Sequence, residues 1–234
     1  KKNTIMKSTS SLSKKVLKNK YKPLFQFFVD GIKDLYWAEK AIETLLKKNK
    51  ALAYTEELSD AIEDHEKQTQ KHILRLEKIF YALNMKPEAK KCEAMAGLVK
   101  EAEETLDNTP ANSMTRDAVM IILCQKVEHY EIASYGGLLQ IAITFNMGSI
   151  ADLLEKTLQE EEETDLLLTE IAEDFINLEA AEEDDSEDND DDDDSSSNSS
   201  SKAKDKDKDK DKDKSSSSST SSSSNASSST TKKS

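Results

Sequence analysis

Cysteine is scarce: Cys92 and Cys124 are the two in 234 residues. They fall in segments predicted as different helices, which argues against a disulfide framework and for a reducing compartment, with the cytoplasm as the expected location. No apolar run approaches the ~18 residues that a membrane-spanning helix needs, so a membrane partner is not expected. With 5 glycines and 3 histidines, the chain offers no Gly-rich phosphate loop and no Ser-His-Asp spacing, which removes the usual nucleotide-binding and hydrolase readings. Positive charge is also outweighed. The formal net charge is −14, and an acidic surface has no electrostatic reason to approach nucleic acid phosphates.

Composition divides the chain into three. Residues 1–22 carry eight lysines and no acidic residue. They share the acid-poor, Ser-rich character of a targeting presequence but lack its arginines and amphipathic pattern, and read as a disordered basic arm. Residues 23–178 have the apolar content of one domain, and ~155 residues is enough for a sizeable core. Residues 179–234 hold an acidic block, a Lys-Asp alternation and a Ser-rich end, none with anything to bury, and are expected to be disordered. The acidic run reads first as a solvated segment. The partner it could take is a basic protein.

Within the middle part the periodicity is helical throughout. Phe25, Phe28, Ile32, Leu35, Ile42 and Leu46 recur at steps of three and four, describing one face of a helix in a bundle. A second helix, about 56–83, aligns Ile62, Leu76, Ile79 and Leu83, and ends at Asn84 and Pro87. About thirty residues separate it from the next long helix, too many for a hairpin, and a weaker helical stretch at about 89–106 makes this a crossover with a short helix of its own. The third helix, about 115–145, is broken by the sequence NMGS. The fourth, about 150–178, aligns Ile150, Leu154, Leu168, Ile171 and Phe175. The fold class expected is all-α, a four-helix bundle with one long crossover, the connection that ferritin-like bundles use.

Every one of the four rows has ionisable residues near its middle. Glu39 interrupts the first, His65, Thr69 and His72 the second, Glu128 and Glu131 the third, Glu161 and Thr164 the fourth. Heights agree: Glu39 and His65 lie about ten residues either side of the first loop, and at ~1.5 Å per residue in antiparallel helices they reach similar depth. Glu131 and Glu161 flank the second loop in the same way. Taken alone, Glu39 would read as a boundary carboxylate and His65 as a satisfied core histidine. Together they present an energetic problem. An isolated buried charge costs several kcal/mol, and a domain is stable by only about 5 to 15 kcal/mol. No Lys or Arg falls in the rows near these positions, so a metal is the economical compensation, and carboxylates with imidazole suit iron or manganese. The candidate ligands are Glu39, His65, Glu128, Glu131 and Glu161, with Gln68, His129 and Asp165 as supporting groups or further ligands. Tyr36, Tyr130 and Tyr135 either bond to these carboxylates or pack.

The stretches YWAEKA (36–41), KKCEAM (90–95), QKVEHYEIASYG (125–136), EEEETD (160–165) and LTEIA (168–172) resemble the YciE/YciF family of ferritin-like proteins, in order from 24 to 178. The resemblance implies a di-iron or di-manganese site, so two ions per chain, and an association with stress responses. By position it matches the family's inward acids to Glu39, Glu128, Glu131 and Glu161 and its helix-two histidine to His65, and gives His72 no counterpart. Gln68 stands where members usually carry an acid, and Ala96 where they carry Glu. The first change implies a weakened metal position. The function expected is metal binding with Fe(II) oxidation as the candidate activity. The alternative is a structural or interaction bundle with a vestigial site. Metal ions and a second copy of the chain, as a homodimer, complete the expected partners.

Overall fold

The computed structural model describes residues 22–187, and the basic arm before them and most of the acidic, Lys-Asp and Ser-rich stretch after them lie outside the described residues. Five helices follow the expected order: α1 Pro23–Lys50, α2 Glu56–Ala82, α3 Glu93–Asp107, α4 Met114–Thr144 and α5 Gly148–Ile171. A π-helical turn, Ala172–Ile176, leads into α6, Asn177–Glu187. Among the described residues there is no strand and no helix long and apolar enough to cross a membrane.

The helix ends are set by local chemistry. Pro23 opens α1, where a missing N–H costs nothing. Thr55, Cys92 and Ser113 cap α2, α3 and α4 by accepting from Leu58, Met95 and Arg116 N–H respectively. The Asn84 and NMGS breaks each hold a left-handed asparagine, Asn84 at φ 57° and Asn146 at φ 55°. In each case the next N–H reaches back across the turn, Met85 to the Phe80 carbonyl and Met147 to the Ala142 carbonyl, both at 2.9 Å. These are Schellman closures, with Asn in the place more often held by Gly.

α1 pairs with α2 and α4 with α5, α2 faces α5 and α1 faces α4, and the crossover helix α3 lies against α4 and α1. Gly31 permits the close approach of α1 to α4: a Cβ there would stand 2.8 Å from a Leu138 methyl. The apolar core is in two pieces. One gathers Phe25, Phe28, Ile32, Leu35, Leu76, Phe80, Leu138 and Leu154, and the other Ile42, Leu46, Ile62, Met95, Met120, Ile121, Leu168 and Ile171. Along each row the ionisable residues occupy the level between them.

One expectation needs correction. The fourth row was to continue to Phe175, but Ile176 is the fully buried residue and Phe175 is half-buried. The π turn is the reason: its wider winding advances the register by one position. The helix also continues past the boundary expected at 178. Ala180 is buried and the helix runs to Glu187, because Glu183 accepts from the N–H groups of Met114 and Thr115 and so covers the open end of α4.

The other buried acid outside the central layer is Asp117, which accepts from Tyr54 N–H and Thr55 N–H at 2.8 Å and from the Thr55 hydroxyl at 2.7 Å. It fastens the α1–α2 loop to α4. Replacing it with Ala leaves three part-buried donors without this acceptor, and Asp117→Ala should lower unfolding free energy by about 1 to 3 kcal/mol, read from urea denaturation. A loss below about 0.5 kcal/mol would mean that water satisfies those donors equally well.

Candidate functional site

The level between the two apolar clusters holds Glu39 from α1, His65 and His72 from α2, Glu128 and Glu131 from α4, and Glu161 from α5, all buried. They reach it because spacings of three, four and seven return a side chain to one helix face. Two groupings have the proximity a metal ion needs, with one ligand atom per residue and all atoms within 4.8 Å of one another. The first is His65, Glu128, Glu131 and Glu161. The second is Glu39, His72 and Glu161. Glu161 belongs to both, and its two oxygens face opposite ways: Oε2 lies 3.6 Å from His65 Nε2, and Oε1 lies 2.8 Å from His72 Nδ1. A carboxylate so placed can bridge two cations.

Hydrogen bonds that would let these groups sit in an apolar core by themselves are missing. Both oxygens of Glu128, Glu131 and Glu161, one oxygen of Glu39, His65 Nε2 and His72 Nδ1 are buried with no hydrogen-bond partner. The close His72–Glu161 contact is short but lies outside hydrogen-bond alignment. Buried polar atoms are satisfied in the great majority of cases, and orphans concentrated at one level point to a missing partner. The donor set is hard oxygen plus imidazole nitrogen, and it fits a divalent transition metal. These buried groups could hold a metal ion.

Electrostatics has the same origin. Burial raises the pKa of Glu128 well above the ordinary value of 4.5, and repulsion from Glu161 adds to it. Glu131 is raised well above 4.5 by burial, then by Glu39 and Glu161. Burial also raises Glu39, against the pull of His72. Glu161 goes the other way: burial opposes its charge, but His65 and His72 beside it bring it down to about 2. His72 is disfavoured as a cation by burial, yet Glu39 and Glu161 override this and hold it up at about 10. In metal-free protein, then, one carboxylate is paired with imidazolium and the others are driven toward the protonated form.

Neighbouring groups position this layer unequally. His72 Nε2 lies 2.9 Å from Glu160 Oε2, and Glu160 is gripped in turn by both guanidinium nitrogens of Arg75, with Nη2 at 2.8 Å. A carboxylate on the outer imidazole nitrogen fixes its tautomer and leaves Nδ1 free to bind inward, the usual support of a metal-binding histidine. Tyr135 donates to Glu39 Oε1. His65 has no such outer support, since its two nitrogens face Glu128 at 3.4 Å and Glu161 at 3.6 Å. Next to it is Cys124, whose thiol is pushed up to about 12 by burial and then by Glu128.

The structure therefore brings Glu39, His65, Glu128, Glu131 and Glu161 together at one level. His129 and Asp165 do not join them. His129 is exposed and lies 3.5 Å from Asp165, whose carboxylate also accepts from Gln125 on the flank of the bundle. Gln68 Oε1 accepts from the Thr164 hydroxyl at 3.2 Å. Of the tyrosines, Tyr135 bonds to the layer, while Tyr36 donates to Glu77 and Tyr130 to Asp34. The sequence reading undervalued His72, although its place seven residues after His65 on the same row was the available signal. Arg75 is buried near the layer against expectation, and is balanced by Glu160. Nothing distinguished Glu160 within a run of four glutamates.

Comparison with known proteins gives a consistent picture. A family described as a domain of unknown function, DUF892, matches residues 23–181. Protein YciF of Escherichia coli K12 is 39% identical over 160 residues, which is 68% of this chain and 96% of that protein. The crystal structure of the E. coli stress protein YciF matches with a TM-score of 0.63 at 38% identity, covering 67% of this chain and 98% of that one. YcfI from Rhodopseudomonas palustris matches with a TM-score of 0.62 at 34% identity, covering 63% of this chain and 94% of the other.

The pKa directions fix how metal-free protein responds to pH. A carboxylate raised on folding contributes stability that is fully present below its unfolded value of 4.5 and lost as pH rises through its folded value, as for Glu39, Glu128 and Glu131. His72 adds a loss between 6.5 and about 10, and Glu161 matters only on the acid side, between 4.5 and about 2. The urea midpoint of chelator-treated protein should fall from about pH 5 to about pH 9, and the fall should shrink in Glu128→Gln/Glu131→Gln. A midpoint rising over that range would contradict the burial of these charges.

Proposed function

The chain belongs to the DUF892 family, and on that premise we propose a ferritin-like protein that binds two divalent ions, iron or manganese, at the level of Glu39, His65, His72, Glu128, Glu131 and Glu161. The observation that carries this reading is the set of buried carboxylate and imidazole atoms without hydrogen-bond partners. Four carboxylates match the charge of two dications, which removes the penalty that the same groups impose on a dry core. The donor total is the one that di-metal carboxylate bundles use, with the histidines carried on one helix instead of two.

Bound iron would supply electron transfer to oxygen or peroxide, so the reaction class is Fe(II) oxidation, with Fe(II) also as substrate. The chain's own groups do the rest. Glu161, with Oε2 toward His65 and Oε1 toward His72, would be shared by the two positions. Glu160 and Arg75 hold His72 in the tautomer that presents Nδ1 inward, Tyr135 orients Glu39, and the two apolar clusters keep bulk water from the centre. The E. coli relative is called a stress protein, and by that likeness we assign the activity to stress protection. The alternative, a structural bundle with a decayed site, predicts no metal dependence of any property.

Elemental analysis after anaerobic reloading with Fe(II) or Mn(II) separates the two. About two ions per chain are expected, falling to none in Glu128→Gln/Glu131→Gln. At free metal a hundredfold above its Kd each bound ion should add about 2.7 kcal/mol of stability. No retained ion and no shift in melting temperature would leave the structural reading standing. His72→Ala should also reduce the count, whereas His129→Ala should not.

A further inference from the structure

The two metal positions differ in their contact with the outside. A cavity of about 40 Å³ lies where α2 crosses α5, and His65 forms part of its wall together with Ala61, Gln68, Cys124, Thr164 and Leu167. It is wide enough for water-sized bodies. Among its lining residues Asp64 is exposed and Leu167 is 43% exposed, while His65 is 4% exposed. The cavity thus runs from the surface toward the position of His65, Glu128, Glu131 and Glu161. On the His72 side the outer imidazole nitrogen is covered by Glu160 and Arg75.

Across the cavity, Thr164 and Gln68 join by one hydrogen bond of 3.2 Å. The Thr164 hydroxyl also lies 2.9 Å from the Glu160 carbonyl. A hydroxyl has one proton, so it can release Gln68 and still be satisfied by its own helix. Opening the pair leaves no buried donor behind. When open, it presents the Gln68 amide oxygen and the Thr164 hydroxyl oxygen to whatever passes, which are ligands that suit a hard cation in transit.

We propose that metal ions enter and leave through this cavity, gated by the Gln68–Thr164 hydrogen bond, so that the ion at His65 exchanges before the ion at His72. The inference rests on the two-ion reading above. Gln68 and Thr164 act here as positioning residues whose effect is on rate, while the number of ions is set by the ligands.

The test loads the full chain with Mn(II), challenges it with excess chelator, and follows Mn(II) release over time. Wild type should release one ion in a fast phase and one in a slow phase. Gln68→Ala should speed the fast phase roughly two- to tenfold, the range implied by the loss of one neutral hydrogen bond, with two ions still bound at the start. Ala61→Leu, which enlarges a side chain of the cavity wall one turn before His65, should slow it. Glu160→Gln should speed only the slow phase. Fast-phase rates indifferent to Gln68→Ala and Ala61→Leu would overturn the route, and release of both ions in a single phase would overturn the order. A wild type that holds no Mn(II) before the challenge overturns the two-ion reading itself, a failure distinct from either.

Discussion

The mutual repulsion of carboxylates held in a dry layer is the constraint on which the rest of this fold depends. Glu39, Glu128, Glu131 and Glu161 are all buried between two apolar clusters. Left ionised and alone they would consume most of the stability that a domain of this size has. The metal-free chain answers with His72, whose pKa is held up at about 10 beside Glu39 and Glu161, and with Glu39, Glu128 and Glu131 driven toward the protonated form. Two dications would replace those protons. Metal binding and proton release are on this view one event seen from two sides.

That constraint explains why so much of the surrounding structure is polar and fixed. Arg75 is buried, yet it does not neutralise the layer. It is paired with Glu160, which holds the outer nitrogen of His72. Had Arg75 pointed inward it would have competed with a cation for the same carboxylates. The outward pairing keeps a positive charge nearby without occupying the centre, and gives His72 one defined orientation. His65 has no comparable partner, and the cavity lies on its side.

Much of this was legible in the sequence, for reasons that are local. The helical rows, the Asn84 and NMGS breaks and the long crossover follow from periodicity and turn chemistry, and these need no knowledge of neighbours. Convergence of Glu39, His65, Glu128, Glu131 and Glu161 at one height followed from counting residues between loops. What escaped depends on contacts across helices. Glu160 acquires its role only through His72 and Arg75 on another helix, and Asp117 only through the α1–α2 loop it caps. The π turn shifts burial from Phe175 to Ile176, and the row carries no mark of it because both residues are apolar. His129, one step off the core row between the inward Glu128 and Glu131, faces solvent beside Asp165.

Gln68 shows how charge balance decides what a departure from the family pattern means. Read from the resemblance alone, the missing acid weakens a metal position. In the structure six donor side chains assemble without residue 68, and His72, which the resemblance did not supply, is among them. On the two-ion reading four carboxylates already match two dications. A fifth at 68, half-buried in the cavity wall beside Thr164, would add a negative charge that the two dications do not balance. A neutral amide keeps the oxygen that accepts from Thr164 and removes that excess. On the two-ion reading the substitution would leave the six-donor layer balanced and alter the wall of the cavity beside His65.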